Sequence, residues 1–301
     1  MRVVTLLPAA TEIVAALGAV NHLVGISHEC DFPPAVLHLP RVTGTSIDPT
    51  SPGKVIDASV AALRAAGKPV IWVDAEQLCG LAPDLVITQG VCEVCAVSDT
   101  EVRRLSAVLA PTTRILSLGA PDLAGIWADI RLVGQALDLA GAAEELVAGL
   151  TGRLERLTPS NRARLSQAFG IPRFLCIEWL EPLYLAGHWV PELVMAAGGE
   201  DVGAEPGGRS APREWSEALA LRPDLVLIML CGFDVARAEI ELAALDDATA
   251  RRLLDGTPTW VLDGNAYTSR PGPRVVDGAE RIQAAFRGEE MEGLRRWNPP
   301  A

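Results

Sequence analysis

Short apolar runs alternate with amphipathic segments along almost the whole chain, and this alternation constrains the fold more than any other feature. Strand candidates in the first half are Val3–Leu7, Leu23–Ile26, Val70–Val73, Leu85–Thr88 and Arg114–Leu118. In the second half they are Phe174–Ile177, Leu225–Met229 and Trp260–Leu262. Segments with helical spacing lie between them: Thr11–Leu17, Lys54–Ala65, Asp99–Leu109, Pro191–Ala197 and Val275–Phe286. Apolar strands that alternate with helices predict parallel sheets covered on both faces. The 301 residues suffice for two domains. Hydrophobic residues make up 49% and charged residues 21%, so intrinsic disorder, collagen and small disulfide scaffolds are excluded.

The middle of the chain departs from the alternation. Leu123, Ile126, Ile130, Val133, Leu137, Leu146, Leu150 and Leu154 keep helical spacing from Asp122 to Leu157, with Asp122 placed to cap the start. The spacing predicts one long helix of about 35 residues, with Gly141 the place where it would break, against a usual length of about 11 to 12. The alternative is one helix of a single larger sheet. There is also an internal echo. Leu81-Ala82-Pro83-Asp84-Leu85-Val86-Ile87 returns as Leu221-Arg222-Pro223-Asp224-Leu225-Val226-Leu227. In each copy Pro and Asp turn the chain into a buried strand. The predicted fold is therefore α/β: two Rossmann-like lobes with parallel sheets, joined by one long helix, with a ligand cleft between them. The expected boundaries are residues 1–120, 121–158 and 159–301.

A formal charge of −12 repels phosphate backbones, so no nucleic-acid partner is expected. No run of 18 apolar residues offers a membrane span. Pro8 and Glu12 interrupt the apolar stretch after Met1-Arg2, where a signal peptide needs continuity. These residues read instead as the first strand and helix. A cytoplasmic protein is the resulting expectation; separately, a monomer is expected. Disulfides are uncommon there, so the six cysteines need another explanation.

Ligands in open α/β sheets sit beyond the carboxyl ends of the strands. The chemistry-bearing residues of this chain gather just there. His28, Glu29 and Cys30 follow the second strand, and Gln89, Cys92 and Cys95 follow Leu85–Thr88. Glu178 and Trp179 follow Phe174–Ile177, with His188 and Trp189 slightly further on. Cys231 follows Leu225–Met229; Asn265, Tyr267 and Arg270 follow Trp260–Leu262. Cys79 and Cys176 read as small buried hydrophobes, and Trp72, Trp127, Trp215, Trp260 and Trp297 as packing residues. Cys92 and Cys95 form a C-x-x-C, which suits one metal ion or a redox pair. His28 and Cys30, two apart, would point the same way in an extended segment. Together His28, Cys30, Cys92, Cys95 and Cys231 form a candidate set for zinc or an iron-sulfur cluster. Trp179, Trp189 and Tyr267 offer flat apolar surface with a polar tip, suited to a large ring ligand. Arg270 could hold a carboxylate or phosphate, or join a salt bridge. The chain has no Gly-x-Ser-x-Gly, no Walker loop and no His-Glu-x-x-His, which favours a binding protein over a standard enzyme and leaves a metal-dependent enzyme open.

These residues also carry a family resemblance. Arg2-Val3-Val4-Thr5-Leu6-Leu7-Pro8-Ala9-Ala10-Thr11-Glu12 resembles the opening of class III periplasmic binding proteins. That is the helical-backbone group serving vitamin B12, haem and siderophore ABC transporters. Val24-Gly25-Ile26-Ser27 with Asp31-Phe32-Pro33-Pro34, then Pro83-Asp84-Leu85-Val86-Ile87 and Gly198-Gly199-Glu200-Asp201, continue the likeness. It spans nearly the whole chain and is closest to cobalamin-binding members. It implies two α/β lobes on a long helix, a ligand held in the cleft and, where the family role holds, a periplasmic or cell-surface location. It also implies that Glu76 and Glu200 dock onto arginines of a membrane permease. Two departures stand out. Glu29 occupies a position that is aromatic in the relatives, and the cysteines at 30, 92, 95 and 231 lie outside their pattern. The leading expectation is a cobalamin, or a related metal chelate, anchored by Trp179, Trp189, Tyr267, His28, Glu178, His188, Asn265 and Arg270. The alternative is a cytoplasmic metalloprotein or enzyme built on the His/Cys set.

Overall fold

The computed structural model describes residues 1–89, 105, 109–157 and 170–299. They divide into two compact units. The first comprises Met1–Ser51, Val55–Ala120 and Ala124–Ala148. The second comprises Pro52–Lys54, Pro121–Leu123 and Gly149–Ala301.

In the first unit the chain runs through β1 (Val3–Thr5), α1 (Pro8–Ala16), β2 (Leu23–Gly25), β3 (Thr43–Thr45), α2 (Gly53–Ala65), β4 (Ile71–Val73), α3 (Ala75–Gly80), β5 (Leu85–Gln89) and β6 (Arg114–Leu118). The helices α4 (Leu123–Ala136) and α5 (Ala140–Leu157) follow. The sheet order is β2-β1-β5-β6 and every pairing is parallel. Its central strands are buried on both faces and apolar as far as Thr5 in β1 and Thr88 in β5. The opening residues do form the first strand and helix, and Pro8 sits where its missing N–H costs nothing. The strand expected at Val70–Val73 exists as β4 but leaves the parallel sheet. It pairs antiparallel with β3, whose Gly44 lies directly under the Trp72 ring. Trp72 is accordingly 44% exposed, not a core residue. The helix expected at Asp99–Leu109 lies, apart from Leu105 and Leu109, outside the described residues.

The second unit contains β7 (Arg173–Leu180), β8 (Leu183–Leu185), α6 (Val190–Ala197), β9 (Glu200–Asp201), β10 (Pro212–Arg213), α7 (Trp215–Ala220) and β11 (Leu225–Ile228). It continues with α8 (Val235–Ala244), α9 (Ala248–Gly256), β12 (Thr259–Leu262), α10 (Gly264–Tyr267), α11 (Val275–Arg287) and β13 (Leu294–Arg296). The strands lie in the order β10-β8-β7-β11-β12-β13. Its centre, β7-β11-β12, is parallel, while β8, β10 and β13 join antiparallel. The long β7 is shared on its outer side: Arg173 and Phe174 pair with β9, and Ile177 to Leu180 with β8.

The helical stretch from Asp122 to Leu157 is interrupted before Gly141, at Leu137–Leu139. Asp138 takes φ +61, the left-handed region. Leu139 N donates to Gly134 O and Asp138 N to Gln135 O, at 2.7 and 3.2 Å. This pair of bonds is the Schellman ending of a helix, normally built on glycine. Asp138 performs it here, and the helix resumes at Ala140 through Gly141.

The internal echo is realised bond by bond. In the first unit Asp84 accepts from Arg2 N at 2.7 Å, and Arg2 Nε donates to Leu81 O at 2.8 Å. In the second, Asp224 accepts from Arg173 N at 2.9 Å, and Arg173 Nη2 donates to Leu221 O at 2.8 Å. Asp84 N and Asp224 N each donate, at 2.8 Å, to the carbonyl of the same arginine. Ala82 and Arg222, at matching positions, both have positive φ, +43 and +50. Each joint locks the amino end of one parallel strand to its neighbour.

Candidate functional site

At the carboxyl edge of the first sheet, β2 runs into a tight turn. Cys30 N donates to Ser27 O at 3.2 Å, so residues 27–30 are not extended. One arginine fixes this turn. Arg41 Nη1 donates to the carbonyls of Ser27, His28 and Cys30 at 3.1, 2.8 and 2.9 Å. The turn separates two side chains that an extended chain would have aligned. Cys30 is buried, 3.1 Å from Thr11 Oγ1, which itself lies 2.6 Å from Thr5 Oγ1. His28 instead lies with Thr43: Nδ1 is 2.7 Å from Thr43 Oγ1, and Nε2 is buried with no hydrogen-bond partner. Burial, aided by the positive charge of Arg41, holds the imidazole below its ordinary pKa. Gln89 closes β5 beside the buried Thr88, whose hydroxyl has no partner either. Glu29 is exposed on the turn.

At the carboxyl edge of the second sheet, Trp179 packs its ring on Phe233 with centroids 5.3 Å apart. Arg237 sits 5.0 Å over the other aromatic ring of this stack, that of Phe233, and pairs with Glu241 at 2.7 Å. Glu241 also accepts from Gly53 N at 3.0 Å. The indole Nε1 of Trp179 is buried without a hydrogen-bond partner. Trp179, Phe233, Lys54, Glu181 and Glu241 line a small pocket of about 10 Å³, room for no more than one water. Glu178 is half-buried next to it, its carbonyl accepting from Cys231 N at 3.0 Å.

Other sequence-selected residues have structural work in the same unit. Trp189 is 8% exposed and its indole N–H donates to Thr268 O at 2.9 Å. The Tyr267 hydroxyl accepts from Arg281 Nη2 at 2.8 Å, and the Arg281 guanidinium stacks 3.6 Å from the ring. Arg270 is 6% exposed and donates to Asn265 Oδ1 at 2.7 Å, so two expected ligand contacts are bonded to each other. His188 adopts φ +55, its amide donating to Gly208 O at 2.7 Å. These groups brace loops.

Among the described residues, no group of three or more His, Cys, Asp or Glu side chains is placed to hold a metal ion. Cys92 and Cys95, half of the cysteines in the expected zinc or iron-sulfur set, lie outside the described residues. Cys176 is buried inside β7, as expected; Cys79 is exposed on α3. Glu76, in the first turn of α3, and Glu200, in β9, are both exposed.

Beside Glu200 the second unit holds a cavity of about 350 Å³ that sequence reading did not anticipate. Asp201, Glu205, Arg209 and Arg213 line it. Asp201 Oδ1 accepts from Gly203 N at 2.9 Å, and the carboxyl lies against the Ala204 amide and the Cys176 thiol. Burial, reinforced by Glu205 and opposed by the Gly203 and Ala204 amides and Cys176, pushes this carboxyl up to about 7. The thiol of Cys176 beneath it is pushed well up, first by burial and then by the aspartate.

The profile of the periplasmic binding protein family matches residues 3–260, and the chain belongs to that family. Solved structures share its fold. A periplasmic heme-binding protein of Pseudomonas aeruginosa is 22% identical, covering 100% of this chain and 99% of its own, with a TM-score of 0.74. A periplasmic vitamin B12 binding protein of Vibrio cholerae is 20% identical over 95% and 96%, with a TM-score of 0.65. A periplasmic heme-binding protein of Roseiflexus sp. RS-1 is 22% identical over 96% and 98%, also with 0.65. No curated protein matches by sequence. The family is named for the periplasm, and its match gives no support to the cytoplasmic placement expected from the N-terminal residues. Among the described residues, no helix is long and apolar enough to cross a membrane.

Phe233, Arg237 and Glu241 were missed by sequence reading. Phe233 lies only two residues after Cys231, past the end of β11, and the strand-end rule that selected Cys231 applies equally to it.

Proposed function

We propose that the chain is the substrate-binding protein of an ABC-type importer and takes cobalamin or a related metal-chelate ring ligand. The observation that carries this reading is Trp179: an aromatic face stacked on Phe233, at the carboxyl edge of a parallel sheet, with an indole N–H that no protein group accepts. A buried donor without a partner is uncommon in folded proteins and calls for an explanation, and a ligand acceptor provides one. His28, an expected anchor in the first unit, likewise has a buried nitrogen, Nε2, without a hydrogen-bond partner. The names of the Pseudomonas, Vibrio and Roseiflexus proteins, which bind heme or vitamin B12, support the ligand class. Glu76 and Glu200, both exposed, are the proposed docking residues for permease arginines. The test is co-elution of aquocobalamin or hemin with the protein in gel filtration, read from the ligand's visible absorbance. Stoichiometric co-elution of either supports the reading; absence of both at micromolar protein overturns it.

A further inference from the structure

The cavity beside Glu200 lies toward the opposite end of β7 from Trp179. Arg173, which lines it, and Trp179 are six residues apart on that strand, about 20 Å at the usual rise. Two strands share the outer side of β7 here: β9 pairs with Arg173 and Phe174, and β8 with Ile177 to Leu180. Residues 202–211 connect β9 to β10 and supply much of the cavity wall. This connection is pinned at its middle. Gly207 N donates to His188 O at 2.9 Å, the His188 amide donates to Gly208 O at 2.7 Å, and Gly208 N donates to Glu205 O at 3.0 Å. A Cβ on Gly203 would lie 2.9 Å from Leu185 and 3.0 Å from Leu175, so the backbone passes close over the sheet. Glu205 and Arg209 therefore stand on a fastened loop, a common setting for binding side chains.

Charges of both signs face the cavity without meeting. Glu200, Asp201 and Glu205 line it, and so do Arg173, Arg209 and Arg213. Among the described residues, no ion pair joins any of these acids to any of these arginines. Arg173 is committed to Leu221 O at 2.8 Å, and Arg213 comes only within 3.9 Å of the exposed Glu217. Burial, with Glu205 adding to it, holds the Asp201 carboxyl up to about 7. A concave site of about 350 Å³ with convergent polar groups and a perturbed acid has the form and size of small-molecule sites, which run from about 300 to 1,000 Å³. A ligand of one sign would meet its own sign on the same wall. Opposite charges held apart suit a ligand that carries both.

We propose that this cavity binds a compact zwitterion of the amino-acid type, its carboxylate on Arg209 and Arg213 and its ammonium on Asp201 and Glu205. Guanidinium groups match a carboxylate because their paired N–H donors meet its two oxygens. The site is separate from the aromatic surface at Trp179, and the proposal does not depend on the ring-ligand reading.

The experiment is a calorimetric titration of the full chain at about pH 8, where Asp201 is charged. The probes are L-alanine, L-glutamate and L-lysine, with acetate and methylammonium as single-charge fragments. At least one amino acid should bind saturably and about tenfold or more tighter than either fragment, the gain of a further charged hydrogen bond. Arg209→Gln and Glu205→Gln change exposed side chains, and each should weaken that binding by about tenfold or more. Unchanged affinity in either variant overturns the proposal, as does an amino acid that binds no more tightly than acetate or methylammonium. No saturable binding of any of the three amino acids by about 10 mM, the weak end of specific affinity, overturns it too.

Discussion

Replacing Asp201 by asparagine should alter how stability depends on pH. The carboxyl is pushed from an ordinary 3.8 to about 7 in the folded protein. A folded-state value above the unfolded one means that the native state binds the proton more tightly. Stability from this group is fully present below about pH 4 and is lost as pH rises through about 7. Three pH units at 1.36 kcal/mol each amount to about 4 kcal/mol. Between pH 5 and pH 8 the loss is about 3 kcal/mol, and above about pH 8 it changes little. The amide introduced by Asp201→Asn is neutral and still accepts from Gly203 N, so this slope should vanish. Urea unfolding of both proteins at pH 5, 6, 7 and 8 isolates the effect, because all other titrating groups are shared. The stability of the variant relative to wild type should rise by about 3 kcal/mol across the series. With an m-value of about 3 kcal/mol/M, that is a relative midpoint shift of about 1 M urea. Parallel pH profiles for the two proteins would refute the placement of a buried, poorly solvated carboxyl over Cys176.

Three further outcomes are expected. Trp179→Ala should weaken binding of the chelate ligand by about tenfold or more, the scale of a buried tryptophan anchor; unchanged affinity in a visible titration would remove Trp179 from the contact surface. Asp84→Ala and Asp224→Ala should each cost about 1–3 kcal/mol, since each removes a charged acceptor from a strand amide; denaturant unfolding that found only one of them destabilising would show that the two joints are not equivalent. Asp138→Gly should stabilise by up to about 1 kcal/mol, because a left-handed position favours glycine; a lower thermal midpoint would mean that the aspartate side chain has a compensating partner.

The fold was legible wherever burial on both faces produced a continuous apolar run. β5, β11 and β12 are such strands, and each lies within a residue or two of its expected place. The strands that escaped notice are short: Thr43-Gly44-Thr45, Leu183-Tyr184-Leu185, Glu200-Asp201, Pro212-Arg213 and Leu294-Arg295-Arg296 are set by pairing partners, not by their own pattern. The break at Asp138 escaped for a related reason. Leu137 and Leu139 continue the apolar rhythm across it, and aspartate stands where a glycine would have announced the end. At the candidate site, position past a strand end selected both His28 and Trp179. It also selected Trp189 and Tyr267, whose polar tips are tied to Thr268 and Arg281, partners 79 and 14 residues away. Whether an aromatic tip is committed to the fold depends on such distant pairings, which no local pattern reveals.

The doubled arginine–aspartate joint has a consequence for how this molecule can change. Both copies sit at the amino ends of their parallel strands, where Arg2 meets Asp84 and Arg173 meets Asp224. His28 and Phe233 lie past the opposite ends, and Trp179 is the last residue but one of β7. On the proposed function, alignment of the strands and choice of ligand belong to separate sets of residues, a strand's length apart. Residues 27–31 and 231–237 lie outside these joints, so substitutions there leave the anchored strand ends unchanged. A protein divided in this way can acquire a new cargo without first relearning how to fold.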